Sequence, residues 1–181
     1  MNVSVFIATS LDGYIARKNG SIDWLLAADP TGGAEDYGYQ GFFDSIDCMV
    51  MGRKSLETVM EFPEWPYPNK RVIVLSHTLK DAPAPALGKI ELFAGPIHSL
   101  YAELKNQAYQ RLYVDGGKTV QSFLREGLVN DLTITRIPIL LGEGIPLFGS
   151  LPKDVKLKHL STQAYASGFV QSRYEIENTP R

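Results

Sequence analysis

Two short glycine-bearing turns, each between an apolar β-rich run and a helix-like run, constrain the fold of this chain most. The first, residues 51–55, reads Met-Gly-Arg-Lys-Ser, and the second, residues 115–119, reads Asp-Gly-Gly-Lys-Thr. We call them the first and the second glycine turn. Apolar residues recur at i, i+3 and i+4 after each turn, which is typical of an amphipathic helix. Strands that lead through tight turns into helices predict an α/β fold.

The rest of the chain continues this alternation. Predicted strands cover residues 3–9, 48–51, 71–76, 90–93, 111–115, 131–138, 155–165 and 169–176, and predicted helices cover residues 36–46, 53–60, 97–108 and 119–125. We expect a long loop at residues 20–35, a hairpin turn at Ser167-Gly168, and Gly127 just past a helix end. The pattern predicts one domain over residues 1–181, with a mixed, mainly parallel sheet flanked by helices and a C-terminal antiparallel hairpin.

Composition excludes several classes of function. The 181 residues are 44% hydrophobic with a net charge of −2, which argues against nucleic acid or a membrane surface as the main partner. No apolar run approaches the roughly 20 residues of a membrane helix, and the N-terminus reads as a strand, so we expect a cytoplasmic protein. The single cysteine, Cys48, excludes internal disulfides and a Cys-based zinc site. We predict a buried, inert thiol and no metal site.

Both glycine turns predict phosphate binding. A helix N-terminus presents unpaired N–H groups and a partial positive charge. The turns add bases and hydroxyl groups, namely Arg53, Lys54, Ser55, Lys118 and Thr119. Two such sites in one small domain indicate a ligand with several phosphates, and a dinucleotide is the simplest choice. The alternative for the first glycine turn is an ordinary strand-to-helix turn that leads into a solvated, basic first helical turn. The alternative for the second is a tight turn whose glycines only allow helix and strand to pack.

Five segments in chain order resemble the dihydrofolate reductase superfamily. They are Ala-Thr-Ser-Leu-Asp-Gly-Tyr-Ile-Ala at 8–16, Val-Met-Gly-Arg-Lys-Ser-Leu-Glu-Thr at 50–58, Val-Ile-Val-Leu-Ser at 72–76, Val-Asp-Gly-Gly-Lys-Thr-Val at 114–120 and Pro-Ile-Leu-Leu-Gly-Glu-Gly-Ile-Pro-Leu-Phe at 138–148. The last segment, together with Ser-Leu-Asp-Gly at 10–13, is more similar to the riboflavin-biosynthesis pyrimidine reductase branch. The resemblance covers nearly the whole chain and implies a dihydrofolate reductase-like fold that binds NADPH across the sheet.

The resemblance implies a cofactor site residue by residue. Ala8 and Ile15 would flank the nicotinamide, and the loop between them would act as a lid. The other implied cofactor contacts are Gly52, Arg53, Lys54, Ser55, Leu75, Ser76, His77, Val114, Gly116, Gly117, Lys118, Thr119 and Val120. Arg53, Ser76 and His77 would favour NADPH over NADH, and the superfamily carries a cis peptide in the second glycine turn. A solvent-facing Lys54 and a surface His77 remain alternatives.

The proton donor is expected to be a half-buried carboxylic acid with a raised pKa, because the nitrogen beside the reduced carbon needs a proton. Counting back from the first glycine turn places Asp36 where the superfamily has its substrate-binding acid, whereas counting forward from Ile15 indicates Asp29. A helix-start acid that favours the dipole is the alternative for Asp36. Trp24 and Gln40 complete the predicted substrate site, with Trp24 either a lid residue or a loop anchor.

These assignments predict an NADPH-dependent reductase of a small nitrogen heterocycle, most similar to 5-amino-6-(5-phosphoribosylamino)uracil reductases. Dihydrofolate reductase activity and a non-catalytic NADPH-binding protein are the alternatives. Lys70 stands where the folate branch has an arginine, and a lysine lacks the planar fork that clamps a carboxylate. Lys70 or Arg71 would instead meet a substrate phosphate or face solvent. The resemblance also implies a homodimer, with the strands after Val129 as a candidate surface.

Overall fold

A computed structural model of the protein describes residues 1–30 and 32–177. The strands are β1 (Asn2–Ser10), β2 (Tyr14–Ala16), β3 (Cys48–Gly52), β4 (Arg71–Leu75), β5 (Glu91–Phe93), β6 (Arg111–Asp115), β7 (Asp131–Ile137), β8 (Ile145–Pro146), β9 (Leu157–Ala164) and β10 (Val170–Ile176). The helices are α1 (Asp23–Ala28), α2 (Tyr39–Asp44), α3 (Arg53–Val59), α4 (Ile97–Asn106) and α5 (Gly117–Arg125), and a 3₁₀ turn covers Ala84–Ala86.

Eight strands form one sheet in the order β5-β4-β3-β6-β1-β7-β10-β9. The first six strands in this order run parallel, and β10 pairs antiparallel with both β7 and β9. The hairpin from β9 to β10 closes at Gly168, which has a φ of 83° and donates its N–H to Tyr165 O. Separately, β2 and β8 form a two-stranded sheet. The predicted mixed, mainly parallel sheet with an antiparallel C-terminal hairpin is confirmed.

Helices cover both faces of the sheet, as the alternation of residues along β3 shows. Cys48 belongs to a core cluster with residues of α4 and α5, whereas its neighbour Met49 belongs to a second cluster with residues of α2 and α3. Successive strand residues point to opposite faces, so the two clusters lie on opposite sides of the sheet. Phe123 of α5 and Leu56 of α3 are fully buried, and each burial contributes about 1.5–3 kcal/mol.

The largest departure from the sequence prediction lies between β1 and β3. The loop predicted at residues 20–35 contains α1, which buries Trp24, and residues 14–16 form the unpredicted strand β2. The helix predicted from residue 36 begins only at Tyr39, because the Asp36 carboxylate accepts the N–H groups of Gly38 and Gln40 and ends the preceding turn.

Smaller predictions are confirmed. Gly127, with a φ of 65°, ends α5 and donates its N–H to Leu124 O at 3.0 Å. Cys48 is buried in β3, and burial raises the pKa of its thiol to about 12, which keeps it protonated. Across residues 1–30 and 32–177, none of the helices combines the length and the apolar character required to cross a bilayer.

Candidate functional site

The carboxyl edge of the sheet brings the two glycine turns together. In the parallel register Met51 of β3 lies opposite Asp115 of β6, and Gly52 lies opposite Leu75 of β4. Three neighbouring strands therefore end side by side, and α3 and α5 both begin at this edge. In open α/β sheets this edge is where ligands bind.

The two glycine turns interlock. A Cβ built on Gly52 would lie 3.0 Å from Thr119 Oγ1, and a Cβ built on Gly116 would overlap Ser55 Oγ. Gly116 also has a φ of 89°, a conformation that side-chain-bearing residues rarely adopt. These contacts give both glycines a packing role, which the sequence left open as an alternative only for the second glycine turn. The second glycine turn has no cis peptide bond, although the resemblance implies one there.

Asp115, the first residue of the second glycine turn, links the two turns. Its carboxyl group accepts the Gly116 N–H and the Ser55 hydroxyl, and the Tyr113 hydroxyl lies 3.4 Å from its Oδ1. Burial raises the pKa of Asp115 more than these hydrogen bonds lower it. The site therefore contains a protonatable carboxylic acid, and the predicted site set did not include it. An acid directly before two glycines was visible in the sequence, but its half-buried position was not.

The starts of α3 and α5 have unsatisfied donors. Gly52 and Gly116 occupy the N-cap positions, and neither helix has a side-chain cap hydrogen bond. Among the described residues, no side chain accepts a hydrogen bond from the first-turn N–H groups that lack an intrahelical acceptor. This arrangement suits the oxygens of a phosphate, so the residues present fit the nucleotide that the resemblance implies.

The basic side chains of the two turns differ in their surroundings. Arg53 and Lys54 both pair with Glu57 in the next turn of α3, Lys54 at 2.7 Å. An acid within the helix therefore offsets one of the two positive charges that oppose the dipole. Lys118 is exposed, and it forms no ion pair with the residues described.

The end of β4 supplies a third element beside the first glycine turn. Ser76 is buried, and its hydroxyl accepts the N–H groups of Thr78 and Leu79 at 3.2 and 3.0 Å. That hydroxyl therefore organises the turn after β4, while His77 is exposed. Their predicted contacts with the adenosine end of a nucleotide remain predictions.

Ile15 lies against the second glycine turn. A Cβ on Gly117 would lie 3.1 Å from Ile15 Cδ1 and 2.9 Å from Pro146 O, so β2 and β8 pack directly on the start of α5. Gln121 of α5 donates to Pro146 O at 3.0 Å and fixes this contact. In the same region Asp12 accepts the N–H of Gly142 at 2.7 Å, which anchors the segment predicted to act as a lid.

A small aromatic cluster lies beside Ala8, near the end of β1. Trp24 is 3% exposed and packs with Ile137 and Phe169, which favours the loop anchor over the lid residue. Its Nε1–H is buried and has no hydrogen-bond acceptor among the described residues. An unsatisfied donor of this kind costs about 1–3 kcal/mol. Tyr37 stacks on Phe169 with ring centroids 4.9 Å apart and extends the cluster.

Comparison with known proteins agrees with this arrangement. The RibD C-terminal domain family matches residues 2–171. This chain belongs to that family. The uncharacterized protein YwjB of Bacillus subtilis (strain 168) is 34% identical over 172 residues, which are 94% of this chain and 95% of YwjB.

Two solved structures extend the comparison. A protein assigned to riboflavin biosynthesis in Shewanella sp. PV-4 is 40% identical, with a TM-score of 0.92 and coverage of 98% of this chain and 100% of that one. A diaminohydroxyphosphoribosylaminopyrimidine deaminase/5-amino-6-(5-phosphoribosylamino)uracil reductase from Thermotoga maritima is 16% identical, with a TM-score of 0.71 over 97% of this chain and 56% of that one. The latter likeness shows the fold. The predicted dihydrofolate reductase-like fold of the pyrimidine reductase branch is confirmed.

The acids proposed as proton donors are placed differently from expectation in this RibD C-terminal domain. Asp36 is exposed, and the N–H groups of Gln40 and Gly38 lower the pKa of its carboxyl group. The expected half-burial and raised pKa are therefore wrong for Asp36, because its carboxylate caps the start of α2. Asp29 accepts the Tyr37 hydroxyl at 2.9 Å and the Gly33 N–H at 2.8 Å, which shapes the loop.

The remaining predicted substrate groups lie away from the glycine turns or are engaged elsewhere. Gln40 is exposed and donates to Asp44 Oδ1 at 2.8 Å. Lys70 donates to Ile46 O at 2.6 Å, and Arg71 pairs with Glu91 through Nε at 2.9 Å and Nη2 at 2.8 Å. Arg71 begins β4, whereas the glycine turns lie at the opposite edge, about 13 Å away at 3.3 Å per residue. These contacts favour a structural role for both bases. No group of His, Cys, Asp and Glu able to hold a metal occurs among the described residues.

Proposed function

We propose that this protein is a single-domain, NADPH-dependent reductase of a small nitrogen heterocycle, similar to 5-amino-6-(5-phosphoribosylamino)uracil reductases. Membership of the RibD C-terminal domain family and 40% identity to a protein assigned to riboflavin biosynthesis support a reductase. The observation that carries the proposal is the pair of uncapped helix starts at the ends of β3 and β6, with Asp115 between them. Two adjacent anion-binding helix starts suit a dinucleotide.

The residues that would hold the nucleotide fall into three groups. The first-turn N–H groups of α3 and α5 would bind its phosphates, together with Arg53 and Lys118. Ser76 and His77 would meet the adenosine end, and Ala8 and Ile15 would flank the nicotinamide. When bound, NADPH supplies a hydride. The cluster around Trp24 would exclude water from the end of β1, which strengthens electrostatic interactions there.

We infer that Asp115, and not Asp36, is the protonatable carboxyl group of this site. Burial raises the pKa of Asp115, so its carboxyl oxygen retains a proton to higher pH than an exposed aspartate does. Ser55 and Tyr113 fix the orientation of the group. Asp36 has the opposite environment, because hydrogen bonds from backbone N–H groups stabilise its charged form.

The proposal includes a homodimer and a cytoplasmic location. Strand β9 is an edge strand, and all 8 of its residues are exposed, among them Leu157 at 42% and Leu160 at 48%. Proteins usually cover or charge an exposed sheet edge, and β9 is the last strand of the sheet. A second copy of the chain packed on β9 would bury these leucines.

Nucleotide binding and turnover test the proposal separately. We expect calorimetric titration to show tighter binding of NADPH than of NADH, with the two dissociation constants converging in Arg53→Ala. Lys118→Ala should weaken NADPH binding about fivefold, which corresponds to about 1 kcal/mol, whereas Lys105→Ala in the last turn of α4 should not. Absence of NADPH binding to the native protein would refute the proposal.

Turnover identifies the substrate class. Loss of reduced-nicotinamide absorbance should accompany addition of a deaminated ribosylaminopyrimidine, with dihydrofolate as the comparison substrate. Turnover with dihydrofolate alone would favour the folate alternative, and binding without turnover of either compound would favour the non-catalytic one.

A further inference from the structure

One acid serves both basic side chains of the first glycine turn. Arg53 Nη1 bonds to Glu57 Oε1, and Lys54 Nζ lies 2.7 Å from Glu57 Oε2, so each carboxylate oxygen has its own cation. Glu57 is the single acid of α3. The carboxylate of Glu57 therefore offsets one of the two positive charges at the start of α3 before any ligand arrives.

The position of Glu57 determines where along α3 the ion pair holds the Arg53 guanidinium. Glu57 lies one turn further along α3 than Arg53, and the uncapped N–H groups lie at the opposite end, beside Gly52. Side chains at i and i+4 share one face of a helix. The ion pair thus holds the guanidinium along the helix, where it contacts Glu57 instead of an anion at the N-terminus.

We propose that Glu57 is a specificity-determining residue, which competes with the 2′-phosphate of the nucleotide for Arg53 and Lys54 and so limits the preference for NADPH over NADH. This inference rests on the proposed function. A phosphate monoester carries about −1.5 to −2 charges near neutral pH and three acceptor oxygens, so it is a stronger partner for a guanidinium than a carboxylate is. Binding it nevertheless requires the pairs with Glu57 to break or rearrange.

The size of the competition follows from the exposure of the pairs. Arg53 and Lys54 are 39% and 72% exposed in these contacts, and Glu57 is 38% exposed. Exposed ion pairs shift equilibria by about 1.4- to 5-fold each. Glu57→Gln keeps the shape of the side chain and removes its charge. We expect it to tighten binding of NADPH and of the fragment 2′,5′-ADP about 2- to 5-fold, with little change for NADH.

Glu61→Gln is the matched control. Glu61 follows α3 and is exposed, and its carboxylate has no hydrogen-bond or ion-pair partner in the described part of the chain. The control makes the same change in net charge, so a general electrostatic effect would move both variants equally. Circular dichroism of both variants checks that α3 remains folded.

Three results decide between the ideas. Tightening by Glu57→Gln that is confined to the 2′-phosphorylated ligands supports the inference. Equal changes of the dissociation constants in both variants, or equal changes for NADPH and NADH, overturn the inference. In that case the proposed function still stands, provided that the native protein binds NADPH. If the native protein binds neither NADPH nor 2′,5′-ADP, the proposed function and the inference are both wrong.

Discussion

Gly116→Ala should be among the most destabilising single-methyl changes in this protein. The substitution places an alanine at a φ of 89° and a ψ of 140°, a region that is nearly restricted to glycine. Backbone strain of this kind costs about 1–3 kcal/mol. The new Cβ also overlaps Ser55 Oγ, so Ser55 must turn away from Asp115.

Loss of the Ser55 hydrogen bond leaves the half-buried carboxyl group of Asp115 less well satisfied, which adds about 1–3 kcal/mol. The two contributions together predict a loss of about 2–6 kcal/mol in the free energy of unfolding. Since small domains are stable by about 5–15 kcal/mol, the variant should fold but unfold at clearly lower denaturant concentration.

Two further variants separate strain from overlap. Gly127→Ala has a positive φ of 65° and open space around the new Cβ, so it should show backbone strain alone. Ser55→Ala removes the overlapping oxygen, so the effect of Gly116→Ala should be smaller in that background. Denaturant unfolding of the four proteins of this double-mutant cycle, with Gly127→Ala beside them, measures both effects. If Gly116→Ala costs the same with and without the Ser55 hydroxyl, the interlocked geometry is wrong.

Three other predictions concern the acids and the sheet edge. Asp36→Asn should leave kcat nearly unchanged, whereas Asp115→Asn should reduce it strongly. If instead Asp36→Asn lowers kcat strongly and Asp115→Asn does not, Asp36 is the proton donor. Because burial raises the pKa of Asp115, the folded protein binds its proton more tightly than the unfolded chain does, so the free energy of unfolding should fall as the pH rises above the ordinary value of 3.8. Asp115→Asn should flatten this decline above pH 3.8 in denaturant titrations, and an unchanged slope would contradict the assignment. Leu160→Glu on β9 should shift the protein from dimer to monomer in analytical ultracentrifugation, with Lys105→Glu on α4 as a control away from β9, and a native protein that is already monomeric would refute the dimer.

Local patterns were sufficient to predict most of the main sheet. The run at Arg111–Asp115 and the apolar spacing after the second glycine turn depend on residues close in sequence, and the structure has β6 and α5 there. By contrast, β2 pairs with β8 through Tyr14 and Pro146, which are far apart in the chain. The short helix α1 has few residues, and the burial of Trp24 stabilises it. Pairing between distant residues, as in β2 and β8, leaves little pattern in the nearby sequence from which a strand could be predicted.

Prediction of the candidate site from the sequence is limited in the same way. The adjacency of the glycine turns depends on β3 and β6 being neighbours in the sheet, which the alternation of strands and helices alone does not specify. The environments of Asp36 and Asp115 depend on which carboxyl group the fold buries, and residue type does not reveal this. The pairing of Arg53 with Glu57 was accessible from sequence, because an i, i+4 pair of opposite charges on a helix is a local signal.

Gly117 differs from Gly116 in what stands opposite its α-carbon. At Gly116 the obstacle is the Ser55 side chain, which a second substitution can shorten, so genetic suppressors of a lesion at position 116 should map to position 55. At Gly117 the nearest obstacle is the main-chain carbonyl oxygen of Pro146. Every amino acid at position 146 would have this carbonyl, so no substitution there removes the obstacle. A selection for revertants should therefore return only glycine itself at position 117.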